Sequence, residues 1–255
     1  MDEGTNDDLP MTRVRRSRDE ARDAYDRMSA WYDLLAGASE WRHVEVGLRM
    51  LEAREGERIL EIGPGTGRAL AQLARAVGSS GHVYGVDLSE GMARRAQTRL
   101  EGAELDDRAT LVLGDGVRLA LRAGTCDAVF ISFTLELFDT PRMPRVLEEC
   151  ARVLKRAGRL CVVSLAKRGE GGLSVQLYEW VHDRMPRYVD CRPIPVPEIL
   201  EKAGFEIIEV ERRSMWALPV DVVLAQWTGQ REEVPDLATG ASTTLEQSTR
   251  HPQGV

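Results

Sequence analysis

The amino-acid sequence predicts an α/β fold with a central, mostly parallel sheet of seven strands and helices on both faces. From Glu57 onward, short apolar segments alternate with helical patterns, as expected for repeated βα units that build a parallel sheet. The first of these segments runs into a glycine-rich turn. The chain has 255 residues, 43% hydrophobic and 29% charged, so one α/β domain with a single core is the simplest organisation.

The region before the sheet is predicted to be mainly helical. Residues 1–17 are polar and charged, with few apolar anchors, and are predicted to form a disordered leader to a domain spanning residues 18–228. A first helix is predicted over residues 18–35. A second is predicted over residues 39–53, with Gly56 as its C-terminal cap.

The seven strands follow in order along the chain. They are predicted over residues 58–62, 82–86, 110–113, 126–132, 160–165, 205–212 and 220–227. Thr140 and Pro141 open a helix, because proline is tolerated where a helix begins. An insertion over residues 168–195 interrupts the alternation before a helix resumes near Val196. Residues 229–255 have little to bury and are predicted to form a disordered tail.

Charge and composition exclude several classes of protein. The net charge of −7 argues against nucleic acid as the main partner, because such proteins usually present a basic face. A group of arginines near the start suits either a solvated helix face, which is the preferred interpretation, or peripheral contact with anionic lipid: Arg13, Arg15, Arg16, Arg18 and Arg22. The four cysteines are far apart, so neither a disulfide framework nor a metal site is predicted. With no signal peptide and no apolar run near the roughly 20 residues that span a bilayer, the sequence predicts a cytoplasmic protein of undetermined oligomeric state.

The strongest local signal is a strand that leads into a glycine-rich turn, ILEIGPGTG, over residues 59–67. Glycine lets the backbone bend sharply and approach a ligand closely. Asp87 ends the next strand about 20 residues after Gly67, the separation expected for a carboxylate that holds two ribose hydroxyls. Asp115 ends the third strand, where a carboxylate can accept from the exocyclic amine of adenine. Three such strand ends in succession predict a nucleoside site.

The turn departs from the pattern of a dinucleotide-binding dehydrogenase. That pattern has a small third residue, which lets the helix pack beneath a pyrophosphate, and here the place is taken by Arg68. Glu61 puts an acid beside the turn, which is unsuited to a pyrophosphate but suits a ligand with an ammonium group. Alternatively, Glu61 caps backbone N–H groups of the turn itself.

These residues resemble the class I S-adenosylmethionine-dependent methyltransferases, and within them the ubiquinone/menaquinone C-methyltransferase-like family. The resemblance spans residues 24–227. Its best parts are the glycine motif and the following segments: AYDRMSAWYD at 24–33, DLSEGM at 87–92, Gly114-Asp115, and FISFTLE at 130–136. The resemblance implies a Rossmann-like fold, a helical lid over residues 18–55, and S-adenosyl-L-methionine as cofactor.

The resemblance also implies which residues hold the cofactor. The turn glycines would pass under its methionine part, Asp87 would hold the ribose, Leu88 and Met92 would flank the adenine, and Asp115 would read the adenine amine. Tyr32 of the lid would cover the cofactor, with ordinary core packing as the alternative. The full set is Tyr32, Glu61, Gly63, Gly65, Gly67, Asp87, Leu88, Met92, Asp115 and Gly116.

The sequence defines the methyl acceptor less well than the cofactor. Many relatives have a histidine just after the fourth strand, where this chain has Glu136, so the candidates for a general base are Glu136, Tyr178 and His182. Asp127, at the start of that strand, is predicted to fix strand geometry or a neighbouring helix. The resemblance favours a quinol or another small aromatic acceptor, and a lipid amine is the alternative. An NAD(P)-binding oxidoreductase and a non-catalytic cofactor-binding module are alternatives of other classes.

Overall fold

The computed structural model describes residues 37–167, 192–216 and 218–229. The α-helices in these parts of the chain are α1 (Gly37–Leu51), α2 (Arg68–Val77), α3 (Glu90–Gly102), α4 (Met143–Val153) and α5 (Val196–Lys202). The strands are β1 (Arg58–Ile62), β2 (His82–Asp87), β3 (Ala109–Leu113), β4 (Cys126–Ser132), β5 (Leu154–Leu165), β6 (Phe205–Met215) and β7 (Leu218–Trp227). Two short 3-10 helices, Leu135–Leu137 and Thr140–Arg142, connect β4 to α4.

All seven strands belong to one sheet with the order β3-β2-β1-β4-β5-β7-β6. Strands β1 to β5 are parallel to one another, whereas β7 is antiparallel to both of its neighbours, β5 and β6. The predicted Rossmann-like, mostly parallel sheet is therefore confirmed. The chain winds outward from β1 to β3 and then returns to β4 on the other side of β1. Open α/β sheets bind their ligands in the crevice at such a reversal, beyond the carboxyl ends of the strands.

Both faces of the sheet are buried, because its central strands are apolar at nearly every position. In β4, Ala128 and Phe130 belong to one hydrophobic layer, while Val129 and Ile131 belong to the other. Successive side chains of a strand point to opposite faces, so a strand covered on both sides needs an unbroken apolar run. Helices α1 and α2 cover the first face, and α4 and α5 cover the second.

Helix α1 lies directly on the sheet. A Cβ atom on Gly47 would come within 2.6 Å of Cγ2 of Val163 in β5, so glycine permits this close approach. The carbonyl oxygen of Leu51, the last residue of α1, accepts a hydrogen bond from Nε of Arg159 at 3.0 Å. Arg159 also pairs with Glu57 at 2.8 Å. The part of the predicted lid that the structure describes is thus a layer of the core.

The predicted elements differ from the structure mainly at their ends. Strand β5 begins at Leu154 rather than at residue 160, because a register shift between Cys126 and Ala128 lets Leu154 pair with Cys126 ahead of the regular ladder. Asp127 lies at this shift and accepts a hydrogen bond from the backbone N–H of Arg58 at 2.9 Å. The prediction that Asp127 fixes strand geometry is therefore confirmed.

Several predicted segments lie outside the described residues: the leader (1–17), the first helix (18–35), residues 168–191 of the insertion, and the tail beyond residue 229. Within the described ranges, no helix is both long enough and apolar enough to cross a membrane. The same ranges contain no cluster of three or more His, Cys, Asp or Glu side chains placed to hold a metal ion. Cys126, Cys150 and Cys161 are buried free thiols.

Candidate functional site

The carboxyl end of β1 leads into the glycine turn, residues 63–67. The φ angles of Gly63, Gly65 and Gly67 are 70°, 53° and 78°, in the left-handed region that residues with a Cβ atom rarely adopt. The N–H of Gly67 donates to the carbonyl of Pro64 at 2.9 Å, and α2 begins at the next residue. The segment has the strand, turn and helix arrangement that the sequence predicts.

The three glycines differ in what surrounds them. A Cβ atom on Gly63 would overlap the side chain of Thr134, and one on Gly67 would lie 2.7 Å from Cβ of Ala96 in α3. These two glycines are therefore required by the packing of the protein itself. A Cβ atom on Gly65 would meet no atom within 4 Å. Gly65 is the glycine of the turn whose backbone borders open space.

Asp87, the last residue of β2, lies beside this space and holds the turn. Its Oδ2 accepts a hydrogen bond from the N–H of Gly65 at 3.1 Å, and its Oδ1 accepts one from the N–H of Ser89 at 2.8 Å. Ser89 in turn caps α3, because its Oγ accepts from the N–H of Met92 at 3.1 Å. Each carboxylate oxygen has a second lone pair, so Asp87 can hold the turn and still accept from ligand hydroxyls.

Glu61, near the end of β1, is a buried acid with an oxygen that no described group pairs with. Its side chain is 1% exposed, and its Oε2 has no hydrogen-bond partner among the described residues. Burial and the neighbouring charge of Asp87 raise the pKa of Glu61 to about 8. The N–H of Gly65 donates to Asp87, so this donor of the turn is not capped by Glu61. A ligand ammonium group would satisfy the buried oxygen and favour the charged carboxylate.

The third predicted acid, Asp115, is engaged by protein groups. It is 9% exposed and forms an ion pair with Arg142, and its Oδ1 accepts from the N–H of Val117 at 3.2 Å. Gly116 is tightly packed, since a Cβ atom there would lie 3.0 Å from Cζ of Phe138. The ion pair fixes the carboxylate just beyond β3 but occupies part of its hydrogen-bonding capacity.

The two predicted adenine neighbours have different environments. Leu88 is 37% exposed, so it presents apolar surface next to Asp87 that a planar ring can cover. Met92 is 3% exposed in the first turn of α3 and belongs to the packed interior. Of the pair, Leu88 is the residue with free surface for a ligand.

Glu136 lies in the first 3-10 helix after β4 and is fully buried. Its Oε1 accepts from the N–H of Leu165 at 3.4 Å, the side chain of Ser164 bonds to the same carboxyl group, and its Oε2 has no partner among the described residues. Burial raises the pKa of Glu136 to about 8. Glu136 thus supplies a second buried carboxyl group with one oxygen that has no partner among the described residues, and it lies just beyond β4. The other predicted residues, Tyr32, Tyr178 and His182, lie outside the described residues.

Sequence reasoning missed two residues that shape the site. Thr134 packs against Gly63, and its Oγ1 lies 2.8 Å from the carbonyl oxygen of Ser132 in β4 and 3.4 Å from that of Gly63 in the turn, which connects β4 to the turn. Arg142 pairs with Asp115 across a long separation in sequence. Thr134 lies in the FISFTLE segment and Arg142 lies in no motif, but in both cases the contact is made with a residue distant in sequence, which a single sequence does not reveal.

The described residues fit S-adenosylmethionine. Its ammonium group matches the unpartnered oxygen of Glu61, and its ribose hydroxyls match the two oxygens of Asp87. The open side of Gly65 leaves room for the ligand, and Leu88 offers a surface for the adenine. A pyrophosphate would instead meet two carboxyl groups.

Comparison with known proteins agrees with this chemistry. The profile of a family described as "Methyltransferase domain" matches residues 59–158. The chain is 38% identical to a demethylmenaquinone methyltransferase of Clavibacter sepedonicus over 160 residues, which cover 59% of this chain and 60% of that protein. It therefore spans about three fifths of the length of that relative.

Two further similarities extend over more of the chain. It is 30% identical to nocamycin O-methyltransferase of Saccharothrix syringae over 226 residues, which cover 80% of this chain and 79% of that protein. The crystal structure of the [4+2]-cyclase SpnF shares the fold, with a TM-score of 0.68 and 19% identity over 83% of this chain and 97% of that one. These similarities, the strand order and the glycine turn with its flanking acids place the chain in the class I S-adenosylmethionine-dependent methyltransferases, where it resembles the ubiquinone/menaquinone C-methyltransferase-like members.

Proposed function

We propose that this chain transfers a methyl group from S-adenosylmethionine to a small-molecule acceptor. The observation that carries the proposal is the buried carboxyl group of Glu61, whose Oε2 lacks a partner among the described residues next to the open backbone of Gly65. A buried acid in this position supports a ligand with an ammonium group. It disfavours the pyrophosphate of a nicotinamide cofactor, which is the alternative from another enzyme class.

The residues of the chain mainly bind and orient. S-adenosylmethionine, when bound, supplies a methyl group already activated by its sulfonium. Asp87 would accept hydrogen bonds from the ribose, Glu61 would pair with the ammonium group, and Leu88 would contact the adenine. The family resemblance adds Tyr32, which lies outside the described residues, as the residue that would cover the cofactor. Correct alignment of the acceptor atom with the methyl group is the main catalytic requirement.

We infer a quinol or another small aromatic compound as the acceptor. The name of one relative, a demethylmenaquinone methyltransferase, supports this class. The name of another, nocamycin O-methyltransferase, supports a small-molecule acceptor methylated on oxygen. Methylation of a phenolic oxygen replaces the hydroxyl proton, and methylation of the adjacent ring carbon replaces the proton on that carbon, so either reaction needs a base to accept a proton. A lipid amine is the alternative acceptor and is tested in the same assay.

Glu136 is our proposed general base, because its uncompensated carboxyl group lies just beyond β4, beside the strand that carries the glycine turn. With a pKa of about 8, its charged form increases as the pH rises from 7 to 9. We expect kcat to rise over this range. Glu136→Gln should lower kcat by roughly 100-fold while the Kd for S-adenosylmethionine changes little. Unchanged kcat would transfer the role to Tyr178 or His182, tested as Tyr178→Phe and His182→Gln.

The decisive experiment combines binding and turnover. We expect calorimetric titration to show binding of S-adenosylmethionine and S-adenosylhomocysteine but not of NAD(H). We also expect S-adenosylhomocysteine to form during incubation with a panel of quinols, phenols and lipid amines. Binding without product for any acceptor would favour a non-catalytic binding module. Binding of NAD(H) alone would overturn the proposal.

Glu61 provides a specific readout in the same titration. At pH 7 its carboxyl group is mostly protonated in the free protein, so pairing with the ligand ammonium should release a proton. The binding enthalpy should then depend on the ionisation enthalpy of the buffer. Glu61→Gln should abolish this dependence and weaken binding. If the binding enthalpy depended equally on the buffer in the native chain and in Glu61→Gln, the released proton would come from another group.

A further inference from the structure

An open depression of the surface lies beside Thr66 of the glycine turn, against α3. Its volume is about 400 Å³, and it is lined by Thr66, Arg94, Arg95, Thr98 and Arg99. The residues of α3 are spaced by one, three, four or five positions, so they project from one face of the helix. The cavity is an arginine-rich cleft, which the proposed methyl transfer does not use.

The cleft carries more positive than negative charge. Arg94 pairs with Glu90 at 2.5 Å, while Nε of Arg99 donates to the carbonyl of Thr66 at 2.9 Å, which fixes that guanidinium in the wall. Arg95 has no carboxylate within ion-pair distance among the described residues. Among the described residues, Arg94 and Arg95 thus lie beside one acid, Glu90, on a chain whose net charge is −7. Such a local excess of positive charge attracts anions.

The lining favours one class of anion. Guanidinium groups match the oxygens of a phosphate through paired hydrogen bonds, and none of the five lining residues is a carboxylate that would repel it. A volume of about 400 Å³ accommodates a phosphate together with the group that bears it. We propose that the arginine-rich cleft binds a phosphate group, carried by a soluble phosphate ester or by a phospholipid headgroup.

The test uses the full chain and two variants that keep the cleft wall intact. Arg94→Gln/Arg95→Gln removes two cations, while Arg99 is left in place because it bonds to the glycine turn. Arg75→Gln is the matched control, since Arg75 is an exposed arginine in the last turn of α2 that does not line the cleft. Inorganic phosphate is titrated at low ionic strength and followed by phosphorus NMR. Vesicles of phosphatidylglycerol are compared with vesicles of phosphatidylcholine by co-sedimentation.

We expect the double variant to bind phosphate about tenfold more weakly than the native chain, and Arg75→Gln to bind it normally. If the double variant lost binding only to phosphatidylglycerol vesicles, the site would be assigned to a lipid headgroup. If it lost binding to inorganic phosphate, the site would be assigned to a soluble ligand. Equal binding by the double variant and the native chain, or no binding to either probe, would overturn the proposal. S-adenosylmethionine is absent from these measurements, so their result is independent of the proposed methyl transfer.

Discussion

At the scale of single residues, three carboxyl groups near one edge of the sheet have three different environments. Asp87 is held by two backbone N–H groups, Asp115 by Arg142, and Glu61 has an oxygen without any described partner. An unpaired buried carboxyl group destabilises the folded protein unless it is protonated or meets a cation. Of the three, Glu61 is therefore the residue whose protonation state depends most on whether the ligand is bound.

Asp87 provides a direct test of the site. Asp87→Asn keeps the shape of the side chain but removes the negative charge and one acceptor oxygen. We expect the variant to bind S-adenosylmethionine about 1.5 to 3 kcal/mol more weakly, measured by calorimetry. Asp127→Asn is the matched control, because Asp127 lies at the amino end of β4 and bonds to Arg58. Equal affinities in Asp87→Asn and the native chain would place the cofactor elsewhere.

The sequence was sufficient to predict the residues that belong to local motifs. The glycines needed positive φ angles for a sharp turn, and Asp87 followed at a fixed separation. It was not sufficient for Arg142, because its pairing with Asp115 depends on how the segment after β4 returns toward β3. The packing roles of Gly63 and Gly67, against Thr134 and Ala96, are tertiary for the same reason.

At the scale of elements, the contact between α1 and the sheet depends on Gly47. A methyl group in Gly47→Ala would approach Val163 to 2.6 Å, so the helix or the strand must shift. We expect the free energy of unfolding to fall by about 1 to 3 kcal/mol, measured by urea denaturation.

Gly102→Ala is the control for this prediction. Gly102 is the last residue of α3, and an added Cβ atom meets nothing within 4 Å. Alanine is the better helix former, so this variant should be as stable as the native chain or up to about 1 kcal/mol more stable. Equal losses in both variants would contradict a specific contact between α1 and β5.

Strand β5 illustrates which element boundaries a sequence leaves open. Its apolar run starts at residue 160, and the preceding Lys155, Arg156 and Gly158 are typical of a loop. Pairing of Leu154 with Cys126 extends the strand backward across a register shift. Such pairing depends on the neighbouring strand, whereas the regular hydrophobic run is visible in the sequence itself.

At the scale of the whole molecule, the two buried carboxyl groups make stability depend on pH. Glu61 and Glu136 have an ordinary pKa of 4.5 and a folded-state pKa of about 8. Between these values the folded protein holds protons that the unfolded chain releases, so the free energy of unfolding falls as pH rises. His43 and His82 act in the opposite direction below pH 6.5, because burial lowers their pKa. Above pH 7 the effect of the carboxyl groups is therefore separated from that of the histidines. The buried thiols of Cys126, Cys150 and Cys161, whose pKa is raised by burial, add to the fall only as the pH approaches their ordinary value of 9.0.

We expect the free energy of unfolding without cofactor to fall as the pH rises from 7 through 8, where Glu61 and Glu136 lose their protons in the folded protein. Urea denaturation at fixed ionic strength measures this. Glu61→Gln/Glu136→Gln should flatten the dependence, because neither amide titrates. If the native chain and the double variant gave parallel profiles, other groups would be responsible.

The order of the last two strands is a property of the whole molecule that the sequence did not predict. Two apolar runs after α5 indicated two more strands, but not which of them pairs with β5. Strand β7 is mostly buried, whereas β6 has exposed and charged residues along much of its length, as an edge strand does. The structure places β7 between β5 and β6.

This placement has a consequence for biosynthesis. While a ribosome is making the chain, β6 emerges before β7, yet among the described strands β6 pairs only with β7. Until residue 227 has left the exit tunnel, the backbone N–H and C=O groups on the outer side of β5 stay unpaired. Premature termination between the two strands would leave this exposed edge permanently open to pairing with other nascent polypeptides.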